Sequence, residues 1–409
     1  MKENRIRIPD RYDAASVLPI LFFWANLFRM LSGSSLAYLV LLILSGAVGL
    51  WVTLKHADRY GDLLFFYGIY MVSLVLSLLV TGNTDRNDVI TSLCLLGMTS
   101  LMLFRRWSFR AGAVGCYVSL LAIAFAFMTR TRTHIFSSSN NYVSIMLLLS
   151  AAFYYIPLEE EYHRTRLIDL VPAGICFLVS VWASGRGGIL AAGILLGLMM
   201  VCYLRSVTGK NPRRIVALCL LVLAALVFLL VSNTSVSRWF FSLGKWQRKG
   251  ANTDDRMEIW GSYLSEAFGS LSYFLFGAPL RDIPVVHLVG DNCHNSFLQL
   301  HAFNGIGMFL LYMVMLVWSF GYYIRRKQYI IVSILATLVI RAMTDKFVFG
   351  QYGMPVMLFF VLWPRLRMKQ PGTDTESPGE PRNTGQEPPG RETVENGNIK
   401  IKASEGEEK

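Results

Sequence analysis

Four stretches of this sequence carry side chains that stand out against their apolar surroundings. Arg186 lies in ASGRGG (183–188), Arg256 in DDRMEIW (254–260), Arg281 in FGAPLRD (276–282), and His294 with Asn295 in DNCHNSFLQLHAFNGIG (291–307). A planar guanidinium presents paired N–H donors that match the oxygens of a phosphate or diphosphate. An imidazole at a helix N-terminus has its charged form opposed by the helix dipole, so it stays neutral and able to accept a proton near neutral pH. That is the requirement for a general base. Together these groups could bind a phosphate or diphosphate and accept a proton beside it.

Each residue also has a plainer reading. Arg186 sits among small residues at a turn, where it either approaches a bulky anion or snorkels to lipid headgroups. Arg256 and Arg281, taken singly, read equally as headgroup contacts or salt bridges. Asp291 either orients the His294 ring or caps the helix that follows. His301, two turns deeper on the face of His294, reads as a satisfied buried histidine rather than a second catalytic group. Arg341 and Asp345 lie one turn apart and form either an internal pair or part of a site, because an intramembrane arginine is a site candidate by default. Arg130 and Arg132, with His134 in TRTRTH, make a small cationic cluster that would steer an anionic carrier or bind headgroups.

These residues must be positioned by a membrane scaffold. Of 409 residues, 54% are hydrophobic and 16% charged, and the charges crowd between long apolar runs, the profile of a polytopic protein. Segments able to cross, or nearly cross, a ~30 Å hydrocarbon layer occupy 17–32, 36–54, 62–81, 88–104, 112–128, 142–157, 167–183, 188–204, 214–232, 296–322, 328–345 and 347–364. The first contains Asn26 and Arg29 and would alternatively lie along the interface. The last two are parted by a tight turn around Asp345 and Lys346. The expected fold is thus all-α, a transmembrane bundle of about twelve spans.

The net charge of +12 raises nucleic acid as a partner, but the Lys and Arg residues sit in short loops beside spans, which fits the positive-inside rule instead. With the N-terminus inside, alternate loops hold Lys55 and Arg59, then Arg105, Arg106 and Arg110, Arg164 and Arg166, Arg205 to Arg214, Arg325 to Lys327, and Arg365 to Lys369. The opposite loops hold few cations, among them Arg86, Arg130, Arg132, Arg186 and Lys346. This asymmetry places both termini in the cytoplasm and the candidate residues on the far face.

One external loop, 233–295, is far longer than the rest and rich in aromatics, which marks it as functional. Within it, 254–268 has Met257, Trp260, Leu264, Ala267 and Phe268 at helical spacing, the pattern of an interfacial helix. Arg256 in its first turn opposes the macrodipole, so helix stability does not account for it. Asp254 and Asp255 are the one acidic pair in the loop; neighbours on a helix point about 100° apart, which makes them poor joint metal ligands. The six cysteines show neither a disulfide framework nor zinc spacing, and Cys293 reads as a free thiol. No cleavable leader pattern follows the basic N-terminus. The membrane domain is expected to span 1–369, and 370–409, rich in Pro, Gly and Glu, to be a disordered cytoplasmic tail.

From residue 140 to 365 the pattern resembles the O-antigen ligase and polymerase family of bacterial membrane glycosyltransferases. The resemblance rests on the Ser184–Gly188 turn, the large loop with DDRMEIW, the FGAP segment, and His294–Asn295 followed at fixed spacing by Gly305. One departure is Met308, where the family favours a small or aromatic residue; it bears on helix packing rather than chemistry. The resemblance implies a GT-C-like fold in the bacterial inner membrane and an undecaprenyl-diphosphate-linked oligosaccharide donor. It also implies inversion at the anomeric carbon, a glycan acceptor, and no cofactor, metal or nucleotide sugar. On it, His294, Arg186 and Arg256 would be catalytic, and Arg281, Asn295, Arg341, Arg130 and Arg132 would bind substrate. The expected activity is polymerisation of a surface polysaccharide. The alternatives are ligation of the glycan to lipid A core or a wall acceptor, and transport of the lipid-linked oligosaccharide.

Overall fold

Each apolar segment within the described residues forms a helix close to its expected bounds. The computed structural model describes residues 14–55, 57–83, 86–105, 107–129, 141–183, 186–208, 254–346 and 353–368. Its helices are α1 (Leu18–Ser32), α2 (Leu36–Lys55), α3 (Ala57–Val80), α4 (Arg86–Phe104), α5 (Phe109–Thr129), α6 (Asn141–Tyr162), α7 (Val171–Trp182) and α8 (Arg186–Thr208). They continue as α9 (Asp254–Gly269), α10 (Leu271–Phe276), α11 (Pro284–His287), α12 (Ser296–Arg325), α13 (Tyr329–Ala342) and α14 (Met354–Met368). No strand occurs among the described residues. The expected span at 214–232, loop residues 233–253, Arg130, Arg132 and the tail at 370–409 lie outside them.

Seven of these helices are long and apolar enough to cross a bilayer: α2, α3, α4, α5, α6, α8 and α12. Three further apolar stretches, α1, Leu167–Trp182 and α13, are shorter. Their outer faces carry large exposed side chains, among them Leu79 at 75%, Phe65 at 70% and Leu121 at 67% exposure. Water would penalise such a surface, and lipid would not. The protein is therefore a helical membrane protein.

α6 is the axis of the bundle, buried along nearly its whole length and packed against α5, α7, α8 and α13. Between lipid and helix there is little hydrophobic difference, so association depends on close packing and inter-helix hydrogen bonds, each contributing about 0.6 kcal/mol. Such bonds recur here. Trp24 Nε1 donates to Ser119 Oγ at 2.9 Å, Trp107 Nε1 to the Phe153 carbonyl at 2.9 Å, and Tyr323 Oη to the Phe360 carbonyl at 2.8 Å. α1 packs its Phe22, Phe23 and Leu27 into the same core, and Arg29 in its last turn lies 4.1 Å from the Tyr38 ring centre.

The segment from α9 to the start of α12 builds a second, smaller core. Ile259, Tyr263 and Ala267 of α9 are buried with Leu280, Val286, Cys293 and Ala302. The apolar face expected for α9 is therefore split. Ala267 and part of Trp260 pack inward, whereas Met257, Leu264 and Phe268 remain exposed. Periodicity alone did not separate the two stripes because Ile259 and Tyr263 make the other side of this helix apolar as well.

α12 is not continuous. Gly305 has φ 68° and ψ 178°, a conformation open essentially to glycine alone. The break leaves the Ala302 carbonyl to outside donors: Asn83 Nδ2 at 2.8 Å and Ser77 Oγ at 3.4 Å. The same Asn83 amide bonds the Ala278 carbonyl at 2.7 Å, and its oxygen accepts from Leu280 N at 2.8 Å. One asparagine thus ties the end of α3, the FGAP turn and the interrupted helix together. Met308, the departure noted above, is buried in the main core just beyond the break.

Candidate functional site

The loop DNCHN acquires its shape from two left-handed residues, Asp291 at φ 53° and His294 at φ 49°, a region that Asp, Asn and His visit more readily than other non-glycine residues. Between them, Asn292 Oδ1 accepts from His294 N at 2.8 Å. Gln299 clamps the loop from the helix side, its Oε1 accepting from Cys293 N at 3.1 Å and its Nε2 donating to the Asp291 carbonyl at 3.3 Å. Trp260 of α9 clamps it from the other side, Nε1 donating to the Cys293 carbonyl at 2.9 Å. Asn295, not Asp291, is the N-cap of α12, accepting from Phe297 N and Leu298 N at 2.9 and 3.3 Å. Asp291 does not orient the His294 ring either; it bonds His287 Nδ1 at 2.9 Å.

The imidazole is half-buried. Its Nδ1 lies 3.4 Å from Asn292 Nδ2. The amide nitrogen has only protons to offer, and its oxygen is held by His294 N, so the ring's lone pair is on Nδ1. Burial holds the His294 pKa below the usual imidazole value. Asp345 opposes this, and Arg256, Lys346 and Arg341 reinforce it. The expected direction is met, although desolvation is its first cause and the helix terminus was the anticipated one.

The three cations named there converge by different routes. Arg256 lies one turn ahead of Trp260, whose anchor is the carbonyl next to His294. Arg341, 2% exposed near the end of α13, is fully engaged. Its Nη2 meets Asp345 Oδ2 at 2.9 Å, its Nε donates to Ser144 Oγ of α6 at 3.1 Å, and its Nη1 to Thr344 Oγ1 at 2.7 Å. The internal pair and the site reading of Arg341 are therefore not exclusive. Asp345 Oδ1 takes Lys346 N at 2.8 Å, and its carbonyl accepts from Ser296 Oγ in the first turn of α12.

The first turn of α8 joins the same cluster. A Cβ at Gly187 would meet Thr344 Oγ1 at 2.8 Å, and one at Gly188 would meet Ser144 Oγ at 2.5 Å. These are the two hydroxyls that bind Arg341. Glycine at both positions lets the start of α8 close onto them, which brings the backbone of Arg186 to the cluster; its side chain lies outside the described residues. The first turn of a helix exposes N–H donors, which favour an anion.

Arg281 stands apart. It is 77% exposed and lies 3.6 Å from Asp291 Oδ2, on the His287 side of the loop. It is not among the charges acting on His294. His301 is a satisfied structural residue. Nε2 must donate to the Phe274 carbonyl at 3.0 Å and Nδ1 accept from Tyr263 Oη at 2.6 Å, so a single tautomer serves both. Cys293 is a free, buried thiol, pushed up to about 12 by burial, which removes it from thiolate chemistry.

Lys346, Ser144, Thr344 and Trp260 were not singled out in the sequence as site residues. For Lys346 a signal existed: it is a cation in a loop set that is otherwise poor in them. Ser144 and Thr344 carried none, since only tertiary packing brings them to the arginine. The resulting arrangement is a base ringed by more positive than negative groups, next to backbone donors. No protein-family model matches this sequence, and no curated protein matches it at a significant level.

Proposed function

We propose that this chain is a membrane glycosyltransferase that polymerises a bacterial surface polysaccharide from an undecaprenyl-diphosphate-linked donor, within a GT-C-like bundle of about twelve spans whose active face is extracytoplasmic. The observation that carries the reading is the convergence, from separate stretches of the chain between residues 186 and 346, of Arg256, Arg341, Lys346 and the start of α8 around His294.

In this reading His294 Nδ1 gives up its long contact with Asn292 Nδ2 and takes the proton of an acceptor sugar hydroxyl as that oxygen attacks the anomeric carbon of the donor. The bond from that carbon to the diphosphate oxygen breaks with its electron pair staying on the diphosphate, and the configuration inverts. Undecaprenyl diphosphate leaves, and the imidazolium returns its proton to water. A diphosphate departs readily once its growing charge is neutralised, which is the task of Arg256, Lys346 and the SGRGG turn. Arg341 and Asp345 position these groups from below; their own hydrogen bonds are already committed. Ligation to lipid A core or a wall acceptor would use the same chemistry with another acceptor.

The test is purified protein in detergent with lipid-linked repeat units, read as a ladder of chain lengths. Wild type should give the ladder. His294→Ala should slow it by about 10²–10⁴-fold and Arg256→Ala by about 10²-fold. Unchanged ladders in both variants would refute the assignment. Movement of the intact donor across vesicles without elongation would establish transport instead.

A further inference from the structure

A groove of about 560 Å³, its open mouth included, lies between α3, α4, the first turns of α12 and the turn after α13. Its polar wall is made by Asp88, Thr91, Ser92, Gln299, Asn304 and Lys346. Leu300 and Phe303 of α12, with Tyr70, Leu74, Leu95 and Met354, supply the apolar side, which is the larger part of the lining. Two of its residues belong also to the cluster around His294: Ser296, whose hydroxyl holds the Asp345 carbonyl, and Lys346, whose N–H binds the Asp345 carboxylate. The groove and the base are therefore contiguous.

Its chemistry narrows the occupant. An acyl or prenyl chain would strand the carboxylate, the hydroxyls and the ammonium against hydrocarbon. A diphosphate lodged in the groove would meet the Asp88 carboxylate, with Lys346 at the groove's edge as the one cation of the lining to set against it. A pyranose fits both halves, because it turns hydroxyls that donate and accept toward one wall and C–H faces toward the other. Asn304 Nδ2 is fixed to Ser73 Oγ at 2.8 Å and Gln299 to the His294 loop, so part of the polar wall is held in place before anything binds.

We infer that this groove is the acceptor subsite, which seats the terminal sugar of the acceptor glycan with its hydroxyl turned toward His294, Asp88 and Ser92 holding the neighbouring hydroxyls. This rests on the transferase reading above for the role of the sugar, while the binding itself is separable from catalysis.

The experiment uses the full chain in detergent and soluble single repeat units released by mild acid from the source bacterium's own polysaccharide, with binding read by saturation-transfer NMR. Transfer should appear with wild type and persist in His294→Ala. It should weaken on the order of tenfold in Asp88→Asn, as for loss of a charged hydrogen bond, and vanish in Thr91→Trp, which fills the groove. Circular dichroism and the melting temperature check that both variants fold; should Thr91→Trp fail to fold, Asp88→Asn carries the test. No transfer to wild type, or equal transfer to wild type and the folded groove variants, overturns the assignment. Sugar binding in the groove without any elongation by wild type would overturn the transferase reading and leave the groove. Elongation untouched by a filled groove would do the reverse.

Discussion

The two ends of α6 each hold a buried carboxylate, and they use it differently. Toward the C-terminal end, Asp169 is fully buried and receives Tyr154 Oη at 2.6 Å, Arg166 N at 2.7 Å and Arg166 Nε at 3.3 Å. Nearby, Glu159 faces Ile330 N at 3.3 Å and His163 at 3.6 Å. There the acids match or outnumber their cationic partners. At the other end, about 22 Å away along the helix, Asp345 is the acid and Arg341, Arg256 and Lys346 crowd the histidine beside it. The histidines report the contrast. The hydrogen bond to Glu159 raises the His163 pKa, whereas burial lowers that of His294. A balanced cluster joins helices; an unbalanced one, on the proposed function, suits an anion.

The contrast is open to direct attack. Arg341→Ala would leave Asp345 buried without its ion partner, and an unfolding midpoint should report a loss of about 3–5 kcal/mol along with the elongation activity. A smaller loss with full activity would show that the pair is dispensable. At the balanced end, Tyr154→Phe removes one hydrogen bond to a buried carboxylate, which should lower stability by about 1.5–3 kcal/mol and leave specific activity per folded molecule unchanged. The smallest effect is in titration. In histidine-labelled NMR, His294 should titrate below and His163 above the usual value of about 6.5. Removing a nearby positive charge favours imidazolium, so Arg256→Gln should move the His294 midpoint, and the acid limb of the rate, upward by a fraction of a pH unit. Glu159→Gln should move His163 down. Shifts in the opposite sense would undo the electrostatic account of both ends.

Much of the scaffold was legible because apolar runs bounded by charge leave few choices: α2 to α6, α8 and α12 fall where length and composition place them. His294 was legible for a local reason, its position at the mouth of a long helix. What the sequence withheld was mostly convergence. Ser144 and Arg341 are separated by 197 positions, and no spacing rule links them. The same limit explains Asp291, which the sequence offered as a cap, where backbone dihedrals and side-chain bonds give that role to Asn295. Gly305 was marked by its distance from His294, but that it interrupts the helix follows from φ and ψ alone.

That interruption sets a depth. Residues 305–325 rise about 30 Å as helix, one hydrocarbon thickness, so the preceding turns of α12 need not share the oily layer. With Asn83 holding the severed end, the reactive loop is tethered to α3 rather than levered by the long rod beneath it. The break at the glycine then separates the histidine loop from bending or tilting of the embedded part, and the proposed function requires that separation if the imidazole is to stay level with a carrier's headgroup.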